Sequence, residues 1–547
     1  MFKYCAILLI ATLYGPAAAQ QNLQSAPVSA QAQCGGLLNF AQLTISRAEL
    51  RPASPTAPSH CYIQGTIASR IRFHMQLPLP ENWNGRLLNI GDGGKDGQLD
   101  FADNRLAQGY AVANSNSGHD SASQPRATFA DQDLNAAIDF GYRAVHLTAN
   151  ASKSVVRFYY GRPPAYTYFE GCSTGGRQGL MEAQRYPDDF DGIVAGAPVF
   201  DYQRLNITHV WMAQRVFADN FAGNLAFDKD GDGVPESLTK WEILRDAVVA
   251  KCDGLDGIRD GVIDDPPSCP FNPVVDLAQR MCPAGVNRDD CFTPRQIQTI
   301  QDLYRGSYDS HGTSIYKGMD LGSEWKWNVT MFPHRGNGML PFKLIYGMDH
   351  VNFLFYEKSP GVPMPNPTDL SQKPDKNANP PEFAWWEFNV DDVTAGKGRF
   401  MMAITDATNP DLSRFLKRKN GKLLLYHGWA DPESEGQPTL DYYKQVVQIT
   451  FAGDVNAARE KVRLFMVPGM GHCSEGPGCS EWDRLAPLAN WVEKGIAPDH
   501  LVAAHSTNGR VDNQRRVCAY PQRAVYAGPA DGQNDPANWV ETNFVCR

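Results

Sequence analysis

The sequence predicts the α/β class: a largely parallel sheet with crossover helices, interrupted once by a large insertion. Two observations carry this. Short apolar runs alternate with helically spaced stretches up to about residue 200 and again from residue 422 onward. Between them, residues 201–400 lose the alternation and hold a polar Asp/Gly-rich stretch, four cysteines, a Pro-rich segment at 359–381 and an aromatic cluster.

The elements read as follows. Residues 60–77 (HCYIQGTIASRIRFHMQL) alternate as strands. Residues 87–90 form a short buried strand running into a glycine turn, and 110–113 form another. In 133–154, Leu134, Ile138, Ala144, Val145 and Leu147 fall near one helical face. A strand at 166–170, a helix at 175–186 and a strand at 192–195 follow. After the insertion come a strand at 422–427, a helix near 440–449, a strand at 462–467 and a helix at 485–494. Residues 500–547 read as short strands and turns. One catalytic domain is therefore expected from 20–200 and 401–547, with a lid domain at 201–400.

Composition narrows the function classes. The 547 residues are 42% hydrophobic, 11% aromatic and 20% charged, which excludes global disorder. A net charge of −9 argues against a dedicated nucleic-acid binder. After the first twenty residues no stretch approaches the roughly 20 apolar residues of a membrane helix, so no membrane anchor is expected. Residues 1–19 read as a signal peptide: Lys3, an apolar run through Tyr14, then Ala17-Ala18-Ala19 before Gln20. The mature chain is thus expected to be secreted or periplasmic, where disulfides persist. Eleven cysteines follow Cys5, an odd number that leaves a free thiol or an intermolecular bond. Nothing implies a protein partner.

Gly171-Cys172-Ser173-Thr174-Gly175 fits G-x-S-x-G between a predicted strand and a predicted helix. The glycines permit a strained turn that projects the Ser173 hydroxyl. A serine hydroxyl needs a base, and the base needs an orienting carboxylate. Asp431 and His472 follow the strands at 422–427 and 462–467, in the Ser–acid–His order this elbow requires. Gly91-Asp92-Gly93-Gly94 follows an earlier strand; the N–H groups of Gly93, Gly94 and Thr174 are the expected oxyanion donors.

Gly171–Gly176 (GCSTGG), His427-Gly428-Trp429-Ala430-Asp431-Pro432 and Pro468-Gly469-Met470-Gly471-His472-Cys473 together resemble the tannase/feruloyl esterase family. The hallmark is a cysteine beside both serine and histidine. The resemblance extends over nearly the whole mature chain, including Asn84-Gly85-Arg86 and the Tyr186–Gly192 segment (YPDDFDG). It implies an α/β-hydrolase fold with a lid, a Ser173–His472–Asp431 triad, and hydrolysis of small aromatic-acid esters. Feruloyl (hydroxycinnamoyl) esters come first; galloyl esters and mono-hydroxyethyl terephthalate are the alternatives. A calcium-dependent secreted binding protein on an inactive hydrolase scaffold is the alternative from another class. The resemblance also implies a Cys172–Cys473 bond. By proximity, Cys34–Cys61, Cys252–Cys269, Cys518–Cys546 and Cys282–Cys291 follow. Cys479 then stands alone, unless it takes Cys282 or Cys291.

Two lid stretches compete for a cation. Asp228-Lys229-Asp230-Gly231-Asp232-Gly233 starts like an EF-hand loop, but its twelfth position is Thr239 rather than a bidentate Glu. The second, 252–264 (CDGLDGIRDGVID), interleaves carboxylates, glycines and carbonyls suited to a hard cation. The resemblance implies structural Ca²⁺ there, held by the side chains of Asp253, Asp256 and Asp260 and the carbonyls of Ile258 and Val262. Trp385, Trp386 and Phe388, with His427, are the expected aromatic-acid pocket.

Overall fold

The computed structural model describes residues 29–547 except 96, 357–360, 364–374, 376, 380, 531 and 533. The expected signal peptide lies outside the described residues. Nine strands form one sheet: β1 (Thr44–Arg51), β2 (His60–Ile67), β3 (Ile71–Pro78), β4 (Arg86–Ile90), β5 (Ala111–Ser115), β6 (Tyr166–Cys172), β7 (Gly192–Gly196), β8 (Lys422–Gly428) and β9 (Val462–Val467). Their order is β1-β2-β3-β5-β4-β6-β7-β8-β9. From β5 to β9 all neighbours are parallel. The β1–β2, β2–β3 and β3–β5 pairs are antiparallel, so the sheet is mixed rather than uniformly parallel.

Burial on both faces explains the continuous apolar runs. Along β8, Leu423 and Leu425 join one core with Phe169, Ile193 and Leu464. Leu424 and Tyr426 join the other with Tyr168, Val194 and Phe465. Strand β1 escapes sequence reading because it is the sheet edge: TISRAELR has one buried residue. The crossover helices include α1 (Ala144–Tyr160), α2 (Thr174–Arg185), α7 (Gly436–Phe451) and α8 (Leu485–Lys494).

The single helix predicted at 133–154 is divided. A π-helical turn, Asp139–Arg143, separates Leu134–Ile138 from α1. The buried guanidinium of Arg177 donates to the Phe140 and Gly141 carbonyls at 3.1 and 2.9 Å. These tertiary bonds satisfy backbone groups that a wider turn exposes.

Residues 201–400 carry their own core around Trp211, Trp241, Trp327 and Trp385. Its main helices are α3 (Tyr202–Phe221), α4 (Thr239–Cys252), α5 (Pro294–Arg305) and α6 (Phe342–His350). The α5 start is specified locally by a Thr293/Gln296 capping box and Pro294. A C-terminal hairpin, β10 (His500–Thr507) and β11 (Arg510–Cys518), packs beside β9.

Candidate active site

Strand β6 ends at Cys172 and α2 begins at Thr174, so Ser173 alone makes the turn. Its backbone is forced to φ 61° and ψ −120°. Its N–H donates to the Gly196 carbonyl at 2.9 Å, anchoring the turn to β7. A Cβ at Gly171 would fall 2.6 Å from the Gly175 backbone, which is why glycine is required there.

Asp431 is 1% exposed, in the turn after β8. Its Oδ1 accepts the N–H groups of Glu433 and Ser434 at 2.8 and 2.9 Å. Its Oδ2 accepts from His472 Nδ1 at 2.7 Å and from Ser434 Oγ at 3.0 Å. His427 Nε2 also lies 3.2 Å from Oδ2, while its Nδ1 pairs with Thr439 Oγ1 at 2.8 Å. Burial pushes the Asp431 carboxyl up, but the His472 and His427 imidazoles hold it far below the ordinary carboxylate range. Burial lowers His472 and the Asp431 carboxylate raises it, and the net direction is upward. With Nδ1 donating to Asp431, Nε2 is the nitrogen left for proton transfer.

Ser173 and His472 line one cavity of about 260 Å³. Gly93, Gly94 and Thr174 line it too. The Gly93 N–H donates to Asp92 Oδ1 at 3.1 Å. Thr174 Oγ1 donates to the Gly94 carbonyl at 2.8 Å and ties the glycine loop to the elbow. Residues 201–400 supply Leu205, Asn206, His209, Phe342 and Tyr346, and the turn after β8 supplies Glu433 and Ser434.

The expected aromatic wall is not there. Trp385, 0% exposed, and Phe388, 5% exposed, belong to the lid core, with Trp386 packed against it. Gln214 Nε2 donates to the carbonyls of all three residues, folding this segment onto α3 away from the cavity. His427 is 1% exposed and does not line the cavity either; it buttresses Asp431 from behind. The true lining residues gave a weak sequence signal. Phe342 and Tyr346 fall four apart on α6, and Asn206 and His209 three apart on α3, spacings shared by any packed helix face.

Disulfides join Cys34–Cys61, Cys172–Cys473, Cys252–Cys269, Cys282–Cys291 and Cys518–Cys546, and Cys479 is buried and unpaired. The Cys172–Cys473 bond links the elbow directly to the histidine loop across 301 residues.

In the Asp253 loop, one oxygen of each expected carboxylate faces the loop backbone. Asp253 Oδ1 accepts from Asp260 and Gly261, Asp256 Oδ1 from Ile258, and Asp260 Oδ1 from Val262. Arg515 of β11, 2% exposed, reaches into the loop and pairs with Asp256, Asp260 and Asp264. Three carboxylates face one guanidinium, and buried Asp264 Oδ1 has no hydrogen-bond partner among the described residues. Among the described residues, three side-chain ligand atoms converge within 4.8 Å in His146/Glu182/Asp189 and in Asp228/Asp230/Glu236, and the Asp253 loop is not one of these groups. Arg335 pairs with Asp230 and Asp232 in the latter loop and stays outside the cavity.

Residues 57–540 match the family model described as tannase and feruloyl esterase. The chain is 32% identical to the mono(2-hydroxyethyl) terephthalate hydrolase of Piscinibacter sakaiensis, covering 90% of this chain and 86% of that one. It is 31% identical to a probable feruloyl esterase B-1 of Aspergillus flavus, covering 84% and 81%. The crystal structure of an esterase from Aspergillus oryzae superposes with a TM-score of 0.76 at 28% identity, covering 94% of this chain and all of that one.

Proposed function

The chain belongs to the tannase and feruloyl esterase family of α/β-hydrolases, and on that premise we propose a serine carboxylic ester hydrolase acting on esters of aromatic acids, feruloyl esters foremost. One observation carries the mechanism: the elbow serine and His472 share a cavity, and His472 Nδ1 is 2.7 Å from the buried Asp431 carboxylate.

Ser173 attacks the ester carbonyl while His472 Nε2 takes its proton. Asp431 holds the imidazole tautomer and stabilises its cation. The oxyanion forms beside the helix N-terminus, where the Thr174 N–H and the glycine loop meet it. The Gly93 N–H is turned to Asp92, which favours Gly94 as the second donor. His472 then returns the proton to the leaving alcohol, and water, activated by the same imidazole, releases the acid. Similarity to the terephthalate monoester hydrolase keeps that substrate as the second reading.

Ca²⁺ is proposed as a structural ion at Asp253, Asp256 and Asp260 with the Ile258 and Val262 carbonyls. The surplus of carboxylates over Arg515 supports it, and the ion supplies charge balance to the lid rather than chemistry. Export is proposed from the leader and agrees with the five disulfides.

Ser173→Ala is the test. It is expected to abolish hydrolysis of methyl ferulate by on the order of 10⁴–10⁶ in kcat, with the melting temperature held. Near-native turnover by this variant would sink the mechanism.

A further inference from the structure

We propose that Glu433 forms a subsite for the alcohol half of the ester, selecting neutral, hydroxyl-bearing leaving groups over anionic ones. This rests on the esterase reading and deepens it, because the acid half alone does not define the substrate.

The geometry follows from the proton's path. His472 Nε2 must come within about 2.6–3.2 Å of the departing oxygen to protonate it. Glu433 Oε2 stands 3.9 Å from that same nitrogen. The first carbons of the leaving alcohol therefore pass beside this carboxylate. A hydroxyl on the carbon adjacent to the ester-bearing carbon, as in a glycol or a sugar, can donate to it. A simple alkyl alcohol has nothing to offer there.

Glu433 is held in place by its backbone. Its N–H donates to Asp431 Oδ1 at 2.8 Å. Its carbonyl accepts from His209 Nε2 at 3.0 Å and from Lys343 Nζ at 3.1 Å. The side chain, 22% exposed, lines the cavity with Ser434 and His472.

Among the described residues, no lysine or arginine lines the cavity, and the lysines near it are already paired with other carboxylates. Lys343 is paired with Glu435 at 3.2 Å, Lys95 with Asp349 at 3.4 Å, and Lys326 with Glu475 at 3.0 Å. Asp431 already balances His472. An alcohol that carries its own carboxylate, such as a hydroxy acid, meets like charge at close range. A neutral polyol meets a charged hydrogen-bond acceptor.

A role confined to supporting His472 would change all esters alike, whereas a subsite changes their ratio. The experiment uses three ferulate esters of similar alcohol size: ethyl, 2-hydroxyethyl and carboxymethyl. Their kcat/KM values are compared in the wild type, Glu433→Gln and Glu433→Leu. Ratios within one protein cancel any change common to all three. The 2-hydroxyethyl to ethyl ratio is expected to fall about tenfold in Glu433→Leu, the scale of one hydrogen bond to a charged acceptor. The carboxymethyl to ethyl ratio is expected to rise about tenfold in Glu433→Gln. The wild-type ratios, set against those for hydroxide hydrolysis of the same esters, give the same signs without any variant. Ratios equal within twofold in all three proteins, or wild-type ratios matching hydroxide, overturn the subsite. Failure of the esterase reading looks different: wild type hydrolyses none of the three, or Ser173→Ala hydrolyses them as well.

Discussion

His472 has two acidic neighbours that act on its proton. The Asp431 carboxylate binds Nδ1 and the Glu433 carboxylate faces Nε2; both raise its basicity, while Lys343 and burial oppose them. In the proposed mechanism the base must be neutral to act, so kcat/KM should climb with pH along a limb lying above the ordinary histidine value of about 6.5. Removing one raising charge lowers that limb. Glu433→Gln is therefore expected to shift the acidic arm of the profile to lower pH, and an unmoved arm would mean that Glu433 does not act on the imidazole electrostatically. His427 acts at one remove. It orients Asp431 from a fully buried position, so His427→Ala should lower kcat on the order of tenfold with little change in KM, the cost of a slightly misplaced acid. That split, read from steady-state kinetics, separates a positioning role from the pocket-lining one that the residue's place before the acid turn suggests.

At the scale of elements, the elbow, the acid turn and the histidine loop are separate segments clamped together. The Cys172–Cys473 bond closes a span of 301 residues. Chain entropy assigns such a loop nominally ~6 kcal/mol, an upper figure because other disulfides already shorten the unfolded chain. The Cys172→Ala/Cys473→Ala pair should lower both melting temperature and kcat, since drift between nucleophile and base is costly; a double variant equal to wild type in both would show the bond to be dispensable. The Asp253 loop is a second clamp, tying the lid to β11 through Arg515. Chelation should lower the melting temperature, and Asp256→Ala should lower it with no further response to chelator. Arg515→Met leaves the loop carboxylates uncompensated, so its destabilisation should be partly reversed by added Ca²⁺, as thermal melts with and without the ion would read. Melts unchanged by chelator in wild type would remove calcium from the account.

Across the whole molecule, residues 201–400 are pinned to the turn that carries Asp431. Asp320 Oδ2 accepts the Gly436 and Gln437 N–H groups at the start of α7, and Trp325 Nε1 donates to the Ala430 carbonyl at 2.7 Å. Lys343 and His209 reach the same turn through the Glu433 carbonyl. What the sequence by itself determined are the features written in local spacing. The strands ahead of Ser173, Asp431 and His472 are apolar because both sheet faces are buried, and each is followed by a glycine-containing turn with one chemically distinctive residue. Such a signal needs no knowledge of what lies across the fold, so the turn at Ser173 and the loops that carry Asp431 and His472 were readable as segments that follow buried strands. Only the tertiary structure decided which side chains face the cavity. The 385–388 aromatics were as plausible a wall as Phe342 and Tyr346, and the choice turned on Gln214 drawing the former onto α3. The π-turn at Asp139–Arg143 likewise depends on Arg177, some forty positions away. Glu433 and Arg515 sit in no sequence motif; each takes its meaning from groups brought beside it by chain segments far off in sequence. Apolar periodicity records how much of a residue is buried, and it carries no record of which neighbour buries it.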